Sequence, residues 1–163
     1  MSPNKYLPHV LVLPEDDANR QLANGFLLDD SLAARNIRVL IEAGGWIEVL
    51  DLFTSVHQRE MERFPLRFMV LLIDFDDHLE RLNEATARIP SHLRERVFVL
   101  GTLSEPEALK AADLGSYETI GLAMAKDCRE NTEEIWSHGF LRHNAGELAR
   151  LRQHVRPILF PSI

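Results

Sequence analysis

Six consecutive apolar residues, Phe68-Met-Val-Leu-Leu-Ile73, constrain this chain more than any other feature. A strand with one wet face would alternate polar and apolar residues, and this run does not. A membrane-spanning helix needs about 20 apolar residues, far more than this run supplies. Continuous hydrophobicity over this length fits a central strand covered on both faces. Three further short apolar runs, His9–Leu13, Ile37–Ile41 and Arg96–Leu100, read as its companions.

Amphipathic stretches lie between the runs. Asn19 to Leu28 carries Leu22, Phe26 and Leu27 at helical spacing. Gly44-Gly45 punctuates the chain, and Trp46 to Val56 resumes a helical period through Ile47, Leu50 and Val56. Leu79 to Arg88 reads as a third helix, ended by Ile89-Pro90. Strands alternating with helices imply right-handed crossovers. The expected fold is therefore α/β, a mostly parallel four-stranded sheet with helices on both faces. At 163 residues the chain suits a single domain, with an α/β core over 8–105 and a helical extension over 106–163.

In that extension Ser104-Glu-Pro-Glu107 has the spacing of a capping box ahead of a helix over Ala108–Leu114. Ser116 is placed to cap a helix running through Ala125. Thr132–Leu141 reads as a further helix, and Asn144 with Glu147 as the start of a last one to Val155.

The charge balance bears on partners. With 25 acidic and 18 basic residues the formal charge is −7. This balance argues against a protein that coats nucleic acid by bulk electrostatics, because phosphate contacts need local positive charge. An enzyme whose acidic site holds a metal is not excluded, since the ion supplies the positive field. The single cysteine, Cys128, cannot form an internal disulfide and reads as a structural thiol. With no basic leader ahead of an apolar stretch, a cytoplasmic protein away from membranes is expected. His138 and His143 lack partners at zinc-site spacing, and no glycine-rich phosphate loop is present.

In an open parallel sheet, ligands bind beyond the carboxyl ends of the strands. Here those ends are acidic: Glu15-Asp16-Asp17 after the first strand, Glu42 after the second, Asp74-Phe75-Asp76-Asp77 after the third, and Glu105 after the fourth. Magnesium takes oxygen ligands. In extended backbone Asp74 and Asp76 would project to the same side. Glu15 would complete the site as a ligand or serve as general acid or base, with Asp77 and Glu105 as further candidate ligands and His78 as a candidate proton shuttle. Each acid also has a plainer reading, as a helix cap or a partner of the helix dipole: Asp16 or Asp17 for the first helix, Asp77 with Glu80 for the third.

A Glu after the first strand with Asp-x-Asp after a later one resembles the Toprim domain of topoisomerases, bacterial primases and OLD-family nucleases. The resemblance covers roughly His9 to Glu105. It implies a Rossmann-like sheet, Glu15 as the catalytic glutamate, Asp74 and Asp76 as the metal pair, and Mg²⁺ or Mn²⁺ as cofactor. It also implies phosphodiester cleavage or transfer on nucleic acid, DNA first, in a setting such as phage defence or DNA repair. The Gly44-Gly45 turn is also seen in such domains. Toprim domains often place a Gly directly after the Glu, where this chain has Asp16.

The segment His9-Val-Leu-Val-Leu-Pro-Glu-Asp-Asp-Ala-Asn-Arg20 also resembles the opening of a response-regulator receiver. That likeness implies Asp16 and Asp17 as its acidic pair, Asp74 as phosphoacceptor and Thr102 as the residue after strand four. Its fifth strand and lysine have no clear counterpart, since Lys126 falls inside a helical period. A third reading is an interaction subunit without chemistry, docking on a partner protein or a second copy. Two arginine groups are the candidate phosphate contacts: Arg81, Arg88, Arg94 and Arg96, and Arg142, Arg150, Arg152 and Arg156 with His143. The plainer account is a set of helix-face ion pairs.

Overall fold

A computed structural model describes residues 2–161. Its centre is a sheet of four strands, β1 (His9–Pro14), β2 (Ile37–Val39), β3 (Arg67–Leu72) and β4 (Val97–Leu100). They lie in the order β2-β1-β3-β4, and every pairing is parallel. This is the flavodoxin-like order short of its fifth strand. The strand order reverses between β1 and β3, so a crevice opens beyond the carboxyl ends of those two strands.

Alternate residues of the strands feed two separate cores. Val10, Val12, Val70, Phe98 and Leu100 face one side, and Leu11, Leu13, Met69, Leu71, Val97 and Val99 face the other. Both faces are covered, which explains why β1 and β3 carry no polar alternation. Each large apolar side chain buried this way contributes about 1.5–3 kcal/mol.

The first face is covered by α1 (Asp17–Phe26), α6 (Tyr117–Glu130), α7 (Ala145–His154) and the short α8 (Arg156–Leu159). The second is covered by α2 (Trp46–Leu52), α3 (Gln58–Arg63) and α4 (Glu80–Ala87). Between α2 and α3 the helical path continues through one π-turn, Phe53–His57. The chain after β4, which includes α5 (Pro106–Ala111), thus supplies most of one helical layer.

Helices α1 and α6 cross at a pair of glycines. A Cβ on Gly121 would sit 2.0 Å from the Leu22 carbonyl oxygen, and one on Gly25 would sit 2.3 Å from that of Glu118. The backbones touch because neither residue has a side chain.

Several local expectations fail for identifiable reasons. Thr132–Leu141 is a series of turns. Asn131 takes a left-handed conformation (φ 54°) and ends α6. The buried Asp127 carboxylate then accepts from the backbone N–H groups of Glu134, Ile135 and Trp136 and from the Thr132 hydroxyl. Those donors are spent on a side chain, so no helix forms. The capping-box reading of Ser104 also fails, since Glu105 occupies the N-cap of α5 and its side chain makes no capping bond. Asp77 does not cap α4, whose N-cap is Leu79. Ser116 does cap α6, accepting from the Thr119 N–H.

Among the described residues no strand lies beside the far edge of β4. Two buried side chains from the start of α7 take that place. The Asn144 amide accepts from the Gly101 N–H at 3.1 Å and donates to the Gly101 carbonyl at 2.9 Å, and Glu147 accepts from the Val99 N–H at 2.8 Å. Asn144 is thus a strand mimic, not the capping side chain its position suggested.

Candidate functional site

Backbone pairing carries Glu15 and Asp74 to the same place. Pro14 pairs with Leu72 in the sheet, so the next residues of both strands emerge together at the crevice. The Glu15 carboxylate accepts a hydrogen bond from the Asp74 N–H at 2.5 Å. Asp16 caps α1, accepting from the Asn19 N–H at 2.9 Å, as a plain cap reading requires. The fully buried Asn19 amide nitrogen reaches both acids, 2.9 Å from Asp16 and 2.8 Å from Asp74.

The acids crowd one another with little compensating charge. Burial, chiefly, pushes the Asp74 carboxyl up to about 8; Asn19 opposes this, and the charges of Glu15, Asp16 and Glu107 reinforce it. Glu15 is also raised, first by burial and then by Asp16 and Glu48, against the Asp74 N–H and Arg81. Arg81 is the nearby cation. It donates to the Asp74 carbonyl at 2.9 Å, lies 3.6 Å from the Asp76 carboxylate, and stacks 4.6 Å over the Trp46 ring. Glu15, Trp46, Asp74, Asp76, Arg81 and the Ser104–Glu105 rim enclose a polar cavity of about 250 Å³.

The expected geometry of the Asp-x-Asp pair does not hold. Asp76 and Asp77 have φ of 51° and 61°, in the left-handed region, so the segment is not extended. The N–H groups of Phe75, Asp76 and Asp77 bond to the carbonyls of Thr102, Ser104 and Leu103, which curls the loop. Asp76 lines the cavity with an exposed carboxylate turned toward Arg81, and Asp77 points away from the cavity into solvent. Glu105 sits at the rim, also exposed. His78 is an exposed loop residue 3.1 Å from Glu80.

Among the described residues no three His, Cys, Asp or Glu side chains converge to hold a cation between them. Two acids do adjoin, Glu15 and Asp74. Magnesium commonly uses one or two carboxylates and completes its shell with water and substrate oxygens. The two carboxylates therefore fit as donors for such an ion, whose charge would favour loss of the Asp74 proton, and Asp76 lines the same cavity, turned toward Arg81.

The receiver-like arrangement is met in part. Asp74 ends β3 and Thr102 follows β4, where its hydroxyl is buried without a hydrogen-bond partner. Asp17, however, is exposed on α1 and engages Arg20 and Gln21. Lys126 lies on the outer side of α6 near Glu134, and α7 occupies the position of a fifth strand.

Most of the arginines singled out by sequence are engaged internally. Arg88 pairs with Asp51; Arg94 and Arg150 pair with Glu147; Arg96, Arg152 and Arg156 bond to backbone carbonyls. Cys128 is buried, and burial pushes its thiol up to about 11. A larger open hollow of about 570 Å³ lies beside α6, but Asp29 there is already bonded to Arg129 and to the Ser31 N–H. No helix among the described residues is long and apolar enough to cross a membrane.

Asn19 and Trp46 are candidate-site residues that motif reasoning missed, whereas Arg81, one of the arginines singled out as a phosphate contact, does line the cavity. Asn19 left one usable signal. It stands three residues before Leu22, on the apolar face of α1, where the pattern calls for an apolar side chain. Comparison with known proteins finds no matching family model, no matching curated protein and no matching solved structure.

Proposed function

We propose that this chain performs divalent-metal-dependent cleavage or transfer at a phosphodiester, with nucleic acid, DNA first, as substrate. The observation that carries the reading is the Glu15–Asp74 pair, two half-buried acids at the sheet's switch point whose nearby cation, Arg81, is turned to the Asp76 carboxylate and the Asp74 carbonyl. Mg²⁺ or Mn²⁺ would be held by these two carboxylates, and would supply Lewis-acid polarisation of a phosphoryl oxygen.

The remaining roles belong to the chain's own groups. Arg81, braced by Trp46 and the Asp74 carbonyl, is set to orient a phosphate at the cavity mouth. Glu15, its pKa raised chiefly by burial, is the candidate general acid or base where it does not serve as a ligand. Asp76 and Glu105, carboxylates of the same cavity, would be the further ligands available to the ion. Asp16 and Asn19 position Asp74.

The test is Mn²⁺ calorimetry on wild type, Asp74→Asn and Asp17→Asn, followed by a DNA cleavage assay. Binding and cleavage should be present in wild type and Asp17→Asn and lost in Asp74→Asn. Absence of Mn²⁺ binding in wild type, or cleavage retained by Asp74→Asn, would overturn the reading.

A receiver-like phospho-switch is the second reading, favoured by the strand order and by Asp74 and Thr102 at the ends of β3 and β4. It predicts a phosphoryl group on Asp74 after incubation with acetyl phosphate and Mg²⁺, seen by intact mass, with no cleavage of DNA.

A further inference from the structure

At the opposite end of the sheet, β1 and β3 begin with His9 and Arg67, which are partners in the parallel register. Their side chains are joined. The His9 Nδ1 lies 2.7 Å from the Leu7 carbonyl and must donate to it; the Nε2 therefore accepts from the Arg67 Nε at 2.9 Å. His9 is thus held neutral, and burial, with the Arg67 charge, lowers its pKa. A neutral imidazole fixes Arg67 without neutralising it.

Among the described residues no hydrogen bond engages the two terminal nitrogens of Arg67. The nearest carboxylate oxygen, on Glu60, is 4.0 Å away. Arg67 opens into a cavity of about 260 Å³, lined also by Lys5, Arg38, His57 and Glu60. Three permanent cations face one carboxylate, a local surplus of two positive charges in a chain whose formal charge is −7. Lys5, Arg63 and Arg67 also gather around the Phe64 ring, each at 4.9–5.3 Å from its centroid.

The helix above this cavity is irregular where it meets it. The single π-turn, Phe53–His57, interrupts the α2–α3 path, and its last residue, His57, lines the cavity. Such turns sit frequently at functional sites, because they re-aim a side chain at the cost of helical regularity. Burial, then the Arg67 charge, lower the His57 pKa against the charge of Glu60, and an anion in the cavity would act in the same sense as Glu60.

We infer that this cavity binds the dianionic phosphate of a small phosphomonoester. Arg67 would give a bidentate contact, Arg38 and Lys5 would close over the anion from the exposed side, and His57 would add a donor from above. The volume suits a phosphate with a small organic body and falls just below the usual range of ligand pockets. The site is separate from the Glu15–Asp74 cavity at the other end of the strands, and does not depend on its reading.

The experiment follows the His57 imidazole by proton NMR, assigned by its loss in His57→Gln, while inorganic phosphate and then AMP are added at constant ionic strength. Wild type should show saturable shifts with both probes and a Kd of about 0.1–1 mM, the affinity of a few charge-assisted contacts. Arg67→Gln and the exposed Arg38→Gln should each weaken binding about tenfold. Arg38 lies on the surface, so its variant tests the site even where Arg67→Gln disturbs packing. Asp74→Asn should bind both probes as wild type does. The inference is overturned by the absence of a saturable shift in wild type, or by undiminished binding in Arg38→Gln. It is equally overturned by binding of an oligonucleotide without terminal phosphates where inorganic phosphate and AMP fail, which would make the cleft a phosphodiester surface.

Discussion

The Glu15 carboxylate closes on the backbone N–H of Asp74, tying the turn after β1 to the turn after β3. One bond thus sets the spacing between the two acids of the candidate site and holds both half-buried. It also makes the pair a source of instability when both are ionised, because two like charges share a low-dielectric crevice.

The pH dependence of folding follows from that arrangement. The Asp74 carboxyl is raised to about 8 in the folded chain, and an unfolded aspartate titrates near 3.9. The folded state therefore holds the proton more tightly. Its contribution to stability is complete below pH ~4 and is lost as pH rises toward about 8. In chelator, Asp74→Asn should match wild type near pH 4 and exceed it by about 2 kcal/mol above pH 8, a figure reduced for the site's partial exposure. Urea unfolding of both proteins across this range measures the difference. A difference that does not change with pH would show that Asp74 titrates normally.

The β4 edge gives a second prediction. Asn144 is buried and makes a two-way bond to the Gly101 backbone, with a further bond to the Leu141 carbonyl. Asn144→Ala would strand the buried Gly101 N–H and carbonyl, while the Leu141 carbonyl keeps the Asn144 backbone N–H, and should cost about 2–4 kcal/mol in urea unfolding. Asn144→Asp should cost at least as much, since it removes the donor and adds a charge beside a carbonyl.

Glu147, on the same edge, adds a pH signature of opposite sign. Burial alone would raise its pKa, but Arg94, the Val99 N–H and Arg150 together bring it below the ordinary value. Its contribution is therefore present above the usual glutamate range and lost as pH falls through the lowered value. Glu147→Gln should lower stability at pH 7 by about 1–3 kcal/mol, with the gap to wild type narrowing in acid. Thermal unfolding at pH 7 and pH 3.5 would reveal a gap that fails to narrow.

The glycine crossing of α1 and α6 gives a fourth. A methyl group at Gly121 would lie 2.0 Å from the Leu22 carbonyl oxygen, backbone that cannot swing aside. Gly121→Ala should force the helices apart and cost about 3 kcal/mol, whereas Gly146→Ala, with open space around the added carbon, should be close to neutral. Equal melting temperatures for the two variants would refute the close crossing.

What the sequence made legible was whatever hydrophobic periodicity encodes. The uninterrupted apolar residues of Phe68–Ile73 marked a strand buried on two faces, and the alternation with helices implied parallel strands with acidic carboxyl ends, though not their order across the sheet. Glu15 and Asp74 could be picked out because strand ends are where chain patterning stops and side chains are free to face a crevice. The curl at Asp76 was not legible, because carbonyls of Thr102, Leu103 and Ser104, more than twenty residues on, impose it. For the same reason Asn144 read as a cap; its partner, Gly101, is distant in sequence.

Asp127 is the clearest case of a distant-looking contact made locally, and it carries the last prediction. Its carboxylate is buried and accepts from three backbone N–H groups and the Thr132 hydroxyl, so it replaces the helix that 132–141 would otherwise form. Trp136, 8% exposed, packs into the core as a consequence. Asp127→Ala would leave those donors without an acceptor and should destabilise the fold by about 3 kcal/mol. The released segment is then free to take the helical conformation that its apolar spacing favours. In a Trp46→Phe background, where Trp136 is the remaining tryptophan, its emission should shift to the red while the sheet persists. Asp127→Asn should fall between the two, because one side-chain oxygen still accepts. Unchanged Trp136 emission in Asp127→Ala would show that core packing alone holds the turns.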